Sequence, residues 1–367
     1  MIRVLQYGLS SNLGGIETYL WNLSQSIDRD EFAFDFLYSD NGQMPALSKE
    51  LEALGSRFFG VTPRRVSARR NREQLTELIT LEHFDILHLH VNTASYVEPV
   101  RVALRSGVPT IVHSHNAGSS RSPITQTLHR INSRVTRWDR VRAVAVSDQA
   151  ARWMFGKAAA YDYIPNGIAT EDFRFDQRVR TTTRTALNIG PDTFLISHVG
   201  AFLPAKNQRH CVDIFAEVVR DRSDSAMILV GTGPLEESVR NHVRKRGLQD
   251  RVHFLGSRDD VPALLSAADA LLFPSRYEGF GLAVLEAQAA GLPCCVSEAV
   301  PPAVLVLPTT QRLSLSEPAT VWAKALSANT ASSAVREAAA DRLDIAGFTV
   351  AANAEKVANL YRSIARH

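Results

Sequence analysis

The chain has 367 residues, of which 45% are hydrophobic and 22% charged, and its formal net charge is +3. This length predicts two domains, and the composition is ordinary for a soluble globular protein. No apolar run approaches the roughly 20 residues needed to cross a bilayer, and no recognisable nucleic-acid module is present, so a membrane-spanning protein and a nucleic-acid binder are both excluded.

The start of the chain and its cysteines indicate a cytoplasmic protein. The sequence opens on a strand-like stretch, residues 2–7, rather than on a charged start followed by an apolar core, so no signal peptide is predicted. Cys211, Cys294 and Cys295 fit neither a disulfide framework nor a zinc site, which agrees with a reducing compartment.

Short apolar runs alternate with helical patterns along the whole chain. The predicted strands are residues 2–8, 32–38, 57–61, 86–91, 110–115, 143–147, 194–200, 226–231, 252–256, 270–274 and 293–297. The clearest helical patterns are residues 16–27, 208–221, 234–247, 261–268 and 350–365. Such alternation predicts an α/β fold with two parallel sheets covered by helices, that is, two Rossmann-like domains facing across a cleft.

The domain boundaries follow from the composition of the segments between these elements. Residues 1–168 form the predicted N-terminal domain, and the polar stretch 169–192 is predicted to link it to a second domain at 193–346. Residues 347–367 are predicted as a C-terminal helix that crosses back to the first domain.

The first strand leads into a glycine pair that opens a helix. Gly14 and Gly15 would let the backbone approach a ligand, and Glu17 follows in the first helical turn. A tight turn between strand and helix explains the same glycines without a ligand.

Histidines come in two pairs on neighbouring predicted strands. His113 and His115 share one face by the period of two, so one of them can be a satisfied core residue, and His115 and Asn116 stand at the strand end. His88 and His90 form a similar pair, which we interpret as core or supporting residues.

The second domain opens with a strand whose following turn carries Lys206 and Asn207. A lysine there can bind a phosphate oxygen, although a lone loop lysine is usually solvated. The next strand ends at a turn with Gly231 and Gly233, and Pro234 is predicted at the first helical position. At the carboxyl edge of a parallel sheet such a turn faces the crevice where ligands bind, but tight packing explains it equally well.

The most informative segment is residues 275–293, where a glycine turn opens a helix that is predicted to end at Gly291. Free backbone N–H groups and the positive helix end suit a phosphate, which favours the backbone of Gly279, Phe280, Gly281 and Leu282 as ligands. Two carboxylates frame this turn.

Glu286 lies about one helical turn inside the helix, where its carboxylate can accept hydrogens from both hydroxyls of a ribose. Glu278 stands before the helix and is free to meet hydroxyls beyond the phosphates. An exposed loop glutamate and a glutamate favoured by the helix dipole are the structural alternative.

Charged patterns elsewhere are less specific. Residues 63–72 carry five arginines and residues 121–142 six, which indicates either solvated surface or a contact with an anionic membrane. Asp28-Arg-Asp30 has the form of a metal-binding D-x-D, but it falls in a turn after a predicted helix, where a solvated loop is favoured.

Residues 226–297 in particular, with Glu278 and Glu286 in an E-x7-E arrangement, resemble retaining glycosyltransferases of family 4 (GT4), in the branch of EpsF-like exopolysaccharide and capsule enzymes. The resemblance implies the GT-B fold and a metal-independent hexosyltransferase without a cofactor. It implies transfer from a nucleotide-diphosphate sugar, UDP-linked, to a growing polysaccharide or lipid-linked glycan. The enzyme would act in the cytoplasm, at the inner face of the membrane.

The resemblance also implies site residues. Lys206 would bind the donor diphosphate with Asn207, Gly233 and the glycine turn, and the loop at Gly14 and Gly15 would face that diphosphate. His115 would contact the transferred sugar. Glu17 and Asn116 would lie on the acceptor side.

The chain departs from the family at Ala201, where relatives carry an arginine. Arg209, which shares the turn of Lys206, or Arg276 can supply the missing charge. The departure leaves two alternatives to a transferase: a non-catalytic sugar-nucleotide-binding scaffold subunit, and a UDP-sugar epimerase on the same fold. The E-x7-E arrangement argues against the epimerase.

Overall fold

The protein is described by a computed structural model covering residues 1–118, 122–157 and 159–365. Within this part of the chain every strand predicted from the sequence is present, with bounds that shift by one or two residues. No helix among the described residues is long and apolar enough to cross a membrane. The chain divides into two compact units.

The first unit comprises Met1–Gly167 and Val350–His367. It contains a seven-stranded sheet in which every pairing is parallel, in the order β3-β2-β1-β4-β5-β6-β7. The strands are β1 (Ile2–Tyr7), β2 (Phe32–Ser39), β3 (Phe58–Val61), β4 (Ile86–Val91), β5 (Thr110–Ser114), β6 (Arg142–Ala145) and β7 (Asp162–Tyr163). The strand order reverses between β1 and β4, so the loops that follow these two strands diverge and leave a crevice at the carboxyl edge.

Helices follow most strands of this unit, as crossover connections between parallel strands require. They are α1 (Gly15–Ser26), α2 (Ser48–Ala53), α3 (Ala68–Leu81), α4 (Glu98–Arg105), α5 (Pro123–Val135) and α6 (Asp148–Phe155). Side-chain oxygens of Ser67, Ser122 and Ser147 cap α3, α5 and α6 by accepting backbone N–H groups of the first turn.

The second unit, Ile168–Thr349, repeats this architecture with six parallel strands in the order β10-β9-β8-β11-β12-β13. The strands are β8 (Phe194–Val199), β9 (Ser225–Val230), β10 (Val252–Gly256), β11 (Ala270–Phe273), β12 (Cys294–Ser297) and β13 (Thr310–Leu313). Here the order reverses between β8 and β11. The loops that follow β8 and β11 therefore flank the crevice of this unit.

The helices of the second unit are α7 (Gln177–Ala186), α8 (Gln208–Asp221), α9 (Glu236–Lys245), α10 (Val261–Ala267), α11 (Leu282–Ala289), α12 (Ala319–Ala328), α13 (Ser333–Glu337) and α14 (Ala339–Ile345). Several bounds differ by one or two residues from the sequence-based expectation: α9 ends at Lys245 rather than at 247, and α10 ends at Ala267 rather than at 268. Pro234 lies ahead of α9 rather than in its first turn, and α11 ends at Ala289, two residues before Gly291.

Residues 169–192 are not a free linker, because they fold into the second unit. The segment forms a 310 turn and α7, and α7 packs on α10. The guanidinium of Arg184 is almost fully buried and donates to the carbonyls of Gly190 and Ala267, while Arg180 pairs with Asp269 at 2.6 Å. The polar composition that indicates a linker thus reflects arginines that bond to backbone carbonyls.

The final helix, α15 (Val350–Ala365), belongs to the first unit. Tyr361 is fully buried, with its ring 5.6 Å from that of Phe32, and Asn353 donates to the carbonyl of Pro165 at 2.6 Å. Arg362 pairs with Glu31 just before β2. These contacts extend the core of the first unit with a segment from the far end of the chain.

Candidate functional site

The loops after β8 and β11 are joined by hydrogen bonds at the carboxyl edge of the second sheet. The backbone N–H of Arg276 donates to the carbonyl of Ala205 at 2.7 Å, and the side chain of Asn207 donates to the carbonyl of Pro274 at 3.1 Å. Nε of Arg276 also donates to Oδ1 of Asn207 at 3.2 Å. The two loops therefore hold each other in place at the strand-order reversal, where an α/β sheet binds ligands.

Lys206 and Glu278 form an ion pair across these loops. The Nζ–Oε2 distance is 2.7 Å, and both side chains are mostly buried, with 22% and 13% of their surface exposed. The ammonium also lies 4.7 Å from the ring centroid of Phe273. The sequence places Lys206 at a diphosphate and Glu278 at a sugar but does not predict their pairing, which neutralises both charges within the unit.

Glu286 lies on α11, and its carboxylate has no hydrogen-bond partner among the described residues. Burial raises the pKa of Glu286 to about 7, and the nearby Lys206 opposes that rise. A half-buried carboxyl with a perturbed pKa and no internal partner is a functional-site candidate, because a purely structural role would give it a partner.

The glycine turn opens α11 with a left-handed residue, Gly281, whose φ is 100°. A side chain there would strain the backbone, so the turn that opens α11 requires this glycine, and an added Cβ would lie 3.5 Å from Cγ of Glu278. Phe280 is 2% exposed, and its ring lies 6.1 Å from that of Phe348, so its side chain belongs to the core. Gly279 is buried and Leu282 half-buried.

Gly233 is explained by packing. A Cβ at this position would lie 2.8 Å from the backbone nitrogen and oxygen of Phe202, and at Gly231 it would lie 2.5 Å from the carbonyl oxygen of Gly200. The turn after β9 thus interlocks with the loop after β8. The close approach of these two backbones is by itself enough to require glycine at both positions.

In the first unit, Glu17 holds the loop before α1 rather than facing an open surface. It is 5% exposed, and its Oε1 accepts from both the backbone N–H and the hydroxyl of Ser10 at 2.8 Å. A Cβ on Gly14 would lie 3.0 Å from the other carboxylate oxygen, whereas Gly15 faces open space. Glu17 therefore shapes the loop, and an acceptor-side role for it has no support from these contacts.

His115 and Asn116 stand just beyond β5. The side-chain oxygen of Asn116 accepts from the next backbone N–H, of Ala117, at 2.7 Å and so stabilises its own turn. Burial lowers the pKa of His115 to about 3, which keeps its imidazole neutral at physiological pH. The ring of Tyr19 lies 4.9 Å from that of His115.

A chain of buried side chains extends from His115 into the sheet. Nε2 of His115 is 2.9 Å from Nδ1 of His90, and Nε2 of His90 is 2.9 Å from Oε1 of Gln6. The amide nitrogen of Gln6 donates to the hydroxyl of Tyr361 at 3.0 Å, and that hydroxyl is 2.7 Å from Nδ1 of His88. Gln6 and Tyr361 were missed by sequence reasoning, because neither stands in a recognisable motif.

Two groups among the described residues could hold a metal ion: His88 with His90 and His113, and Glu171 with Asp341 and Asp344. Neither contains Lys206, Glu278 or Glu286. The predicted role of Asp28-Arg-Asp30 as a solvated loop is confirmed, since the carboxylate of Asp28 accepts the backbone N–H of Asp30 in an exposed turn.

The arginine-rich segments are partly neutralised within the first unit. In residues 63–72, Arg69 pairs with Glu73 and Arg72 with Glu98. In residues 122–142, Arg137 pairs with Asp139 and Arg142 with Asp162. Arg121, the first residue of the predicted segment 121–142, lies outside the described residues.

Comparisons with known proteins agree with the resemblance seen in the sequence. The model of "Glycosyltransferase Family 4" matches residues 13–172, and the model of "Glycosyl transferases group 1" matches residues 179–337, so the two cover one unit each. The chain belongs to glycosyltransferase family 4. Its activity is accordingly that of a glycosyltransferase, and the predicted family is confirmed.

Two curated relatives match most of the chain. The putative glycosyltransferase EpsF of Bacillus subtilis is 29% identical over 98% of this chain and 96% of its own length. An Escherichia coli UDP-Gal:α-D-GlcNAc-diphosphoundecaprenol α-1,3-galactosyltransferase is 24% identical over 81% of this chain and 79% of its own.

Solved structures share the fold. Anabaena HepE in complex with UDP and glucose matches with a TM-score of 0.79 at 19% identity, over 99% of this chain and 100% of that one. Sucrose-phosphate synthase from Thermosynechococcus elongatus matches with the same TM-score over 99% of both chains. The predicted GT-B fold with two Rossmann-like domains is therefore confirmed.

Proposed function

We propose that this chain is a retaining, metal-independent hexosyltransferase that moves a sugar from a UDP-sugar to a growing polysaccharide or lipid-linked glycan. The observation that carries the proposal is the grouping of Lys206, Glu278 and Glu286 around the loops at the strand-order reversal of the second unit. The donor class is supported by the relatives, one of which is named for UDP-Gal and another of which was solved with UDP and glucose.

In this mechanism the donor diphosphate leaves from the face that the acceptor attacks. Lys206 and the backbone N–H groups from Gly279 to Leu282 stabilise the charge that develops on the diphosphate. Electrostatic groups fixed in advance are usually the largest catalytic contribution. The bound diphosphate draws the ammonium of Lys206 from Glu278, whose carboxylate then accepts hydroxyl hydrogens of the sugar.

Glu286 binds the ribose diol, because it is the carboxylate near the helix start that has no partner of its own. Ionised, it accepts two hydroxyl hydrogens, and charge-assisted hydrogen bonds are about twice as strong as neutral ones. The neutral imidazole of His115 contacts the sugar or the oxygen that faces it. Asn207 and the Gly14–Gly15 loop complete the donor contacts in this proposal.

Calorimetry with UDP tests the proposal. Glu286→Gln keeps the shape of the side chain but removes its charge, so the affinity for UDP should fall by about tenfold or more. Glu237→Gln is the matched control, since Glu237 is an exposed glutamate at the start of another helix of the same unit. An unchanged affinity in Glu286→Gln would refute the ribose assignment, and a wild type that binds no nucleoside diphosphate would refute the function.

The second candidate is a scaffold subunit that binds the sugar nucleotide without turnover. Ala201 favours it, because an alanine removes the charge-assisted hydrogen bonds that an arginine would make, each worth about 1.5–3 kcal/mol. UDP binding without detectable transfer to any glycan acceptor would support this candidate over the transferase.

We further propose that the first unit rests on an anionic membrane, at the cytoplasmic face. On α5, Ile124, Ile131 and Val135 are 73%, 52% and 59% exposed and share one helix face by their spacing of seven and four. Arg130 and Arg134 are exposed to one side of this stripe. Apolar residues flanked by arginines suit the headgroup region, where each cation contributes about 1 kcal/mol.

Co-sedimentation with phosphatidylcholine vesicles, with and without phosphatidylglycerol, tests this contact. Ile131→Gln should weaken binding to the anionic vesicles, whereas Ile345→Gln, at an 88% exposed isoleucine of the second unit, should not. Binding that changes neither with the salt concentration nor with the content of anionic lipid would contradict this contact, and the arginines would then be solvated surface.

A further inference from the structure

A cavity of about 860 Å³ lies within the second unit, where α8 and α9 begin. Its walls are the loop after β8, the first two turns of α8, the start of α9, the pair Arg276-Tyr277 after β11, and Leu315 after β13. Cavities of roughly 300–1,000 Å³ bind small organic ligands. This one is therefore large enough for a ring compound with a substituent.

The cavity differs from the proposed donor site, although the two share a wall. Asn207 and Arg276 line it, whereas Lys206, Glu278 and Glu286 do not. The cavity follows α8 and α9, and Glu286 lies on α11. A ligand can therefore occupy it without replacing the sugar nucleotide.

A hollow of about 360 Å³ continues the cavity along α9. Arg209 and Ser238 line both, and Asn241, His242 and Lys245 complete the lining of the hollow. The guanidinium of Arg209 and the ammonium of Lys245 have no ion-pair or hydrogen-bond partner among the described residues. Two unpaired cations beside a hydroxyl are the groups that bind a phosphate in proteins.

Asp213 is the one carboxylate among the described residues that line this space. Its Oδ1 is 2.8 Å from Nε2 of His242 and also accepts from the guanidinium of Arg246, so its charge is already compensated. It is outnumbered by the cations of the lining, which are Arg209, Arg276 and Lys245. The lining therefore attracts an anion.

The neighbouring carboxylates of α9 do not change this balance. Glu236 pairs with Arg240 at 2.7 Å, and Glu237 pairs with Arg244 at 2.9 Å. Neither glutamate lines the cavity or the hollow. Their charges are offset on their own helix, so the unpaired cations determine the local potential.

Apolar side chains form the other part of the lining. Leu203 is 41% exposed and Tyr277 is 55% exposed, although both are large apolar residues. Leu235 and Leu315 are half-buried and pack against the core of the second unit. Large apolar side chains that remain exposed at a concave surface mark a contact with an apolar or aromatic ring.

Two buried polar atoms of the lining residues have no hydrogen-bond partner among the described residues. They are Nε2 of His210 and Oε1 of Gln208. Gln208 is 1% exposed, and its amide nitrogen already donates to the carbonyl of Ala201 at 2.9 Å. Buried polar atoms nearly always have partners, so an occupant or the water that it orders would satisfy both atoms.

We propose that this cavity binds a small organic anion, namely an apolar ring that carries a phosphate. The phosphate lies among Arg209, Ser238 and Lys245, and the ring packs against Leu203 and Tyr277. The site is additional to the one for the sugar nucleotide, and binding to it requires no turnover.

Calorimetry with matched probes tests the inference. The wild type should bind 1-naphthyl phosphate at least about tenfold more tightly than either 1-naphthol or inorganic phosphate, since each of these offers only half of the recognised chemistry. Lys245→Gln removes one unpaired cation and should lower the affinity for 1-naphthyl phosphate by about tenfold or more. Lys356→Gln makes the same change at an exposed lysine of the first unit and should leave it unchanged.

A second variant tests the apolar part of the site. Tyr277→Ser should weaken 1-naphthyl phosphate by at least about threefold and leave the affinity for inorganic phosphate as it is. Equal affinities of the wild type for 1-naphthyl phosphate and 1-naphthol would overturn the inference. Equal affinities of the wild type and Lys245→Gln for 1-naphthyl phosphate would overturn it as well.

Titrations in saturating UDP separate this inference from the proposed function. The affinity for 1-naphthyl phosphate should be the same with and without UDP, because neither Lys206 nor Glu286 lines the cavity. Displacement of the probe by UDP would place it in the donor site and overturn the inference. A chain that binds the probe in a Lys245-dependent way but binds no UDP would refute the proposed function alone.

Discussion

The two units repeat one topology but carry opposite kinds of chemistry at the same edge of their sheets. In the second unit the strand-order reversal holds Lys206, Glu278 and Glu286, all ionisable. In the first unit it holds His90 and His115, whose imidazoles stay neutral because burial lowers the pKa of both. The difference shows that the same topology can carry ionisable or neutral side chains at this edge, because the residues there rather than the fold determine the chemistry.

The variant with the largest expected effect on this contrast removes the ammonium of Lys206 from the second unit. Lys206→Ala should lower kcat/KM by about 100- to 1000-fold, as the loss of one preorganised donor does elsewhere. Lys324→Ala, at an exposed lysine of α12, is the control and should leave kcat/KM unchanged. Steady-state kinetics measure both. A loss in Lys206→Ala that Glu278→Gln restores would mean that the lysine only compensates the glutamate.

The next test asks which arginine replaces the one missing at Ala201. The sequence favours Arg209, but the hydrogen bond from Arg276 to Asn207 brings Arg276 beside Lys206. Arg276→Ala should therefore cost about 1.5–3 kcal/mol in kcat/KM, and Arg209→Ala less. With Arg276 intact, Ala201→Arg should change little. The opposite result, a large gain from Ala201→Arg, would show a donor site that works with less charge.

The third test uses pH, because burial raises the pKa of the Glu286 carboxyl to about 7 in the folded chain, above its ordinary value of 4.5 in the unfolded one. A raised carboxyl pKa stabilises the fold fully below the unfolded value, and this contribution is lost as pH rises through about 7. Above pH 7, Glu286→Gln should therefore exceed the wild type in unfolding free energy by up to about 3 kcal/mol. Thermal melts between pH 5 and 8 measure the difference.

The affinity for UDP should increase with pH, whereas the contribution of Glu286 to stability decreases, since the ribose contact needs the ionised carboxylate. This affinity should rise with pH through about 7 more steeply in the wild type than in Glu286→Gln, where only the terminal phosphate of UDP, with a pKa of about 6, still titrates. His115 should add no titration in this range, because burial lowers its pKa to about 3. A pH profile that survives unchanged in Glu286→Gln would move the titrating group elsewhere.

The smallest expected effect concerns metal. If Lys206 and backbone N–H groups supply the positive charge, excess EDTA should change the initial rate by less than about twofold. If EDTA abolished turnover and manganese restored it, the proposal would be wrong, because a metal ion would then supply the charge that we assign to Lys206 and the backbone N–H groups.

Much of the fold was predictable because central parallel strands are buried on both faces and read as continuous apolar runs. β13 was missed because this edge strand, Thr310–Leu313, is largely polar. Residues 169–192 looked like a linker because arginines that bond to buried carbonyls cannot be distinguished by composition from solvated ones.

In the candidate site, local motifs singled out Lys206, Glu278 and Glu286 individually. Their pairing was not predictable, since the ion pair joins residues 72 positions apart. The same holds for the contact of Gln6 with Tyr361, which joins residues 355 positions apart. Distances along the chain of this size are bridged only by the tertiary fold, and a single sequence gives no signal for them.

The buried chain from His115 to His88 has a consequence for proton placement. Each neutral imidazole has one donor and one acceptor nitrogen, so the carboxamide of Gln6 sets the direction of every hydrogen bond in the chain. With its oxygen toward His90, His115 donates through Nε2 and keeps a lone pair on Nδ1. A half-turn of that one amide would reverse every donor and acceptor together. The donor and acceptor nitrogens of His115 are thus fixed by Gln6, the fifth of the six residues of the first strand.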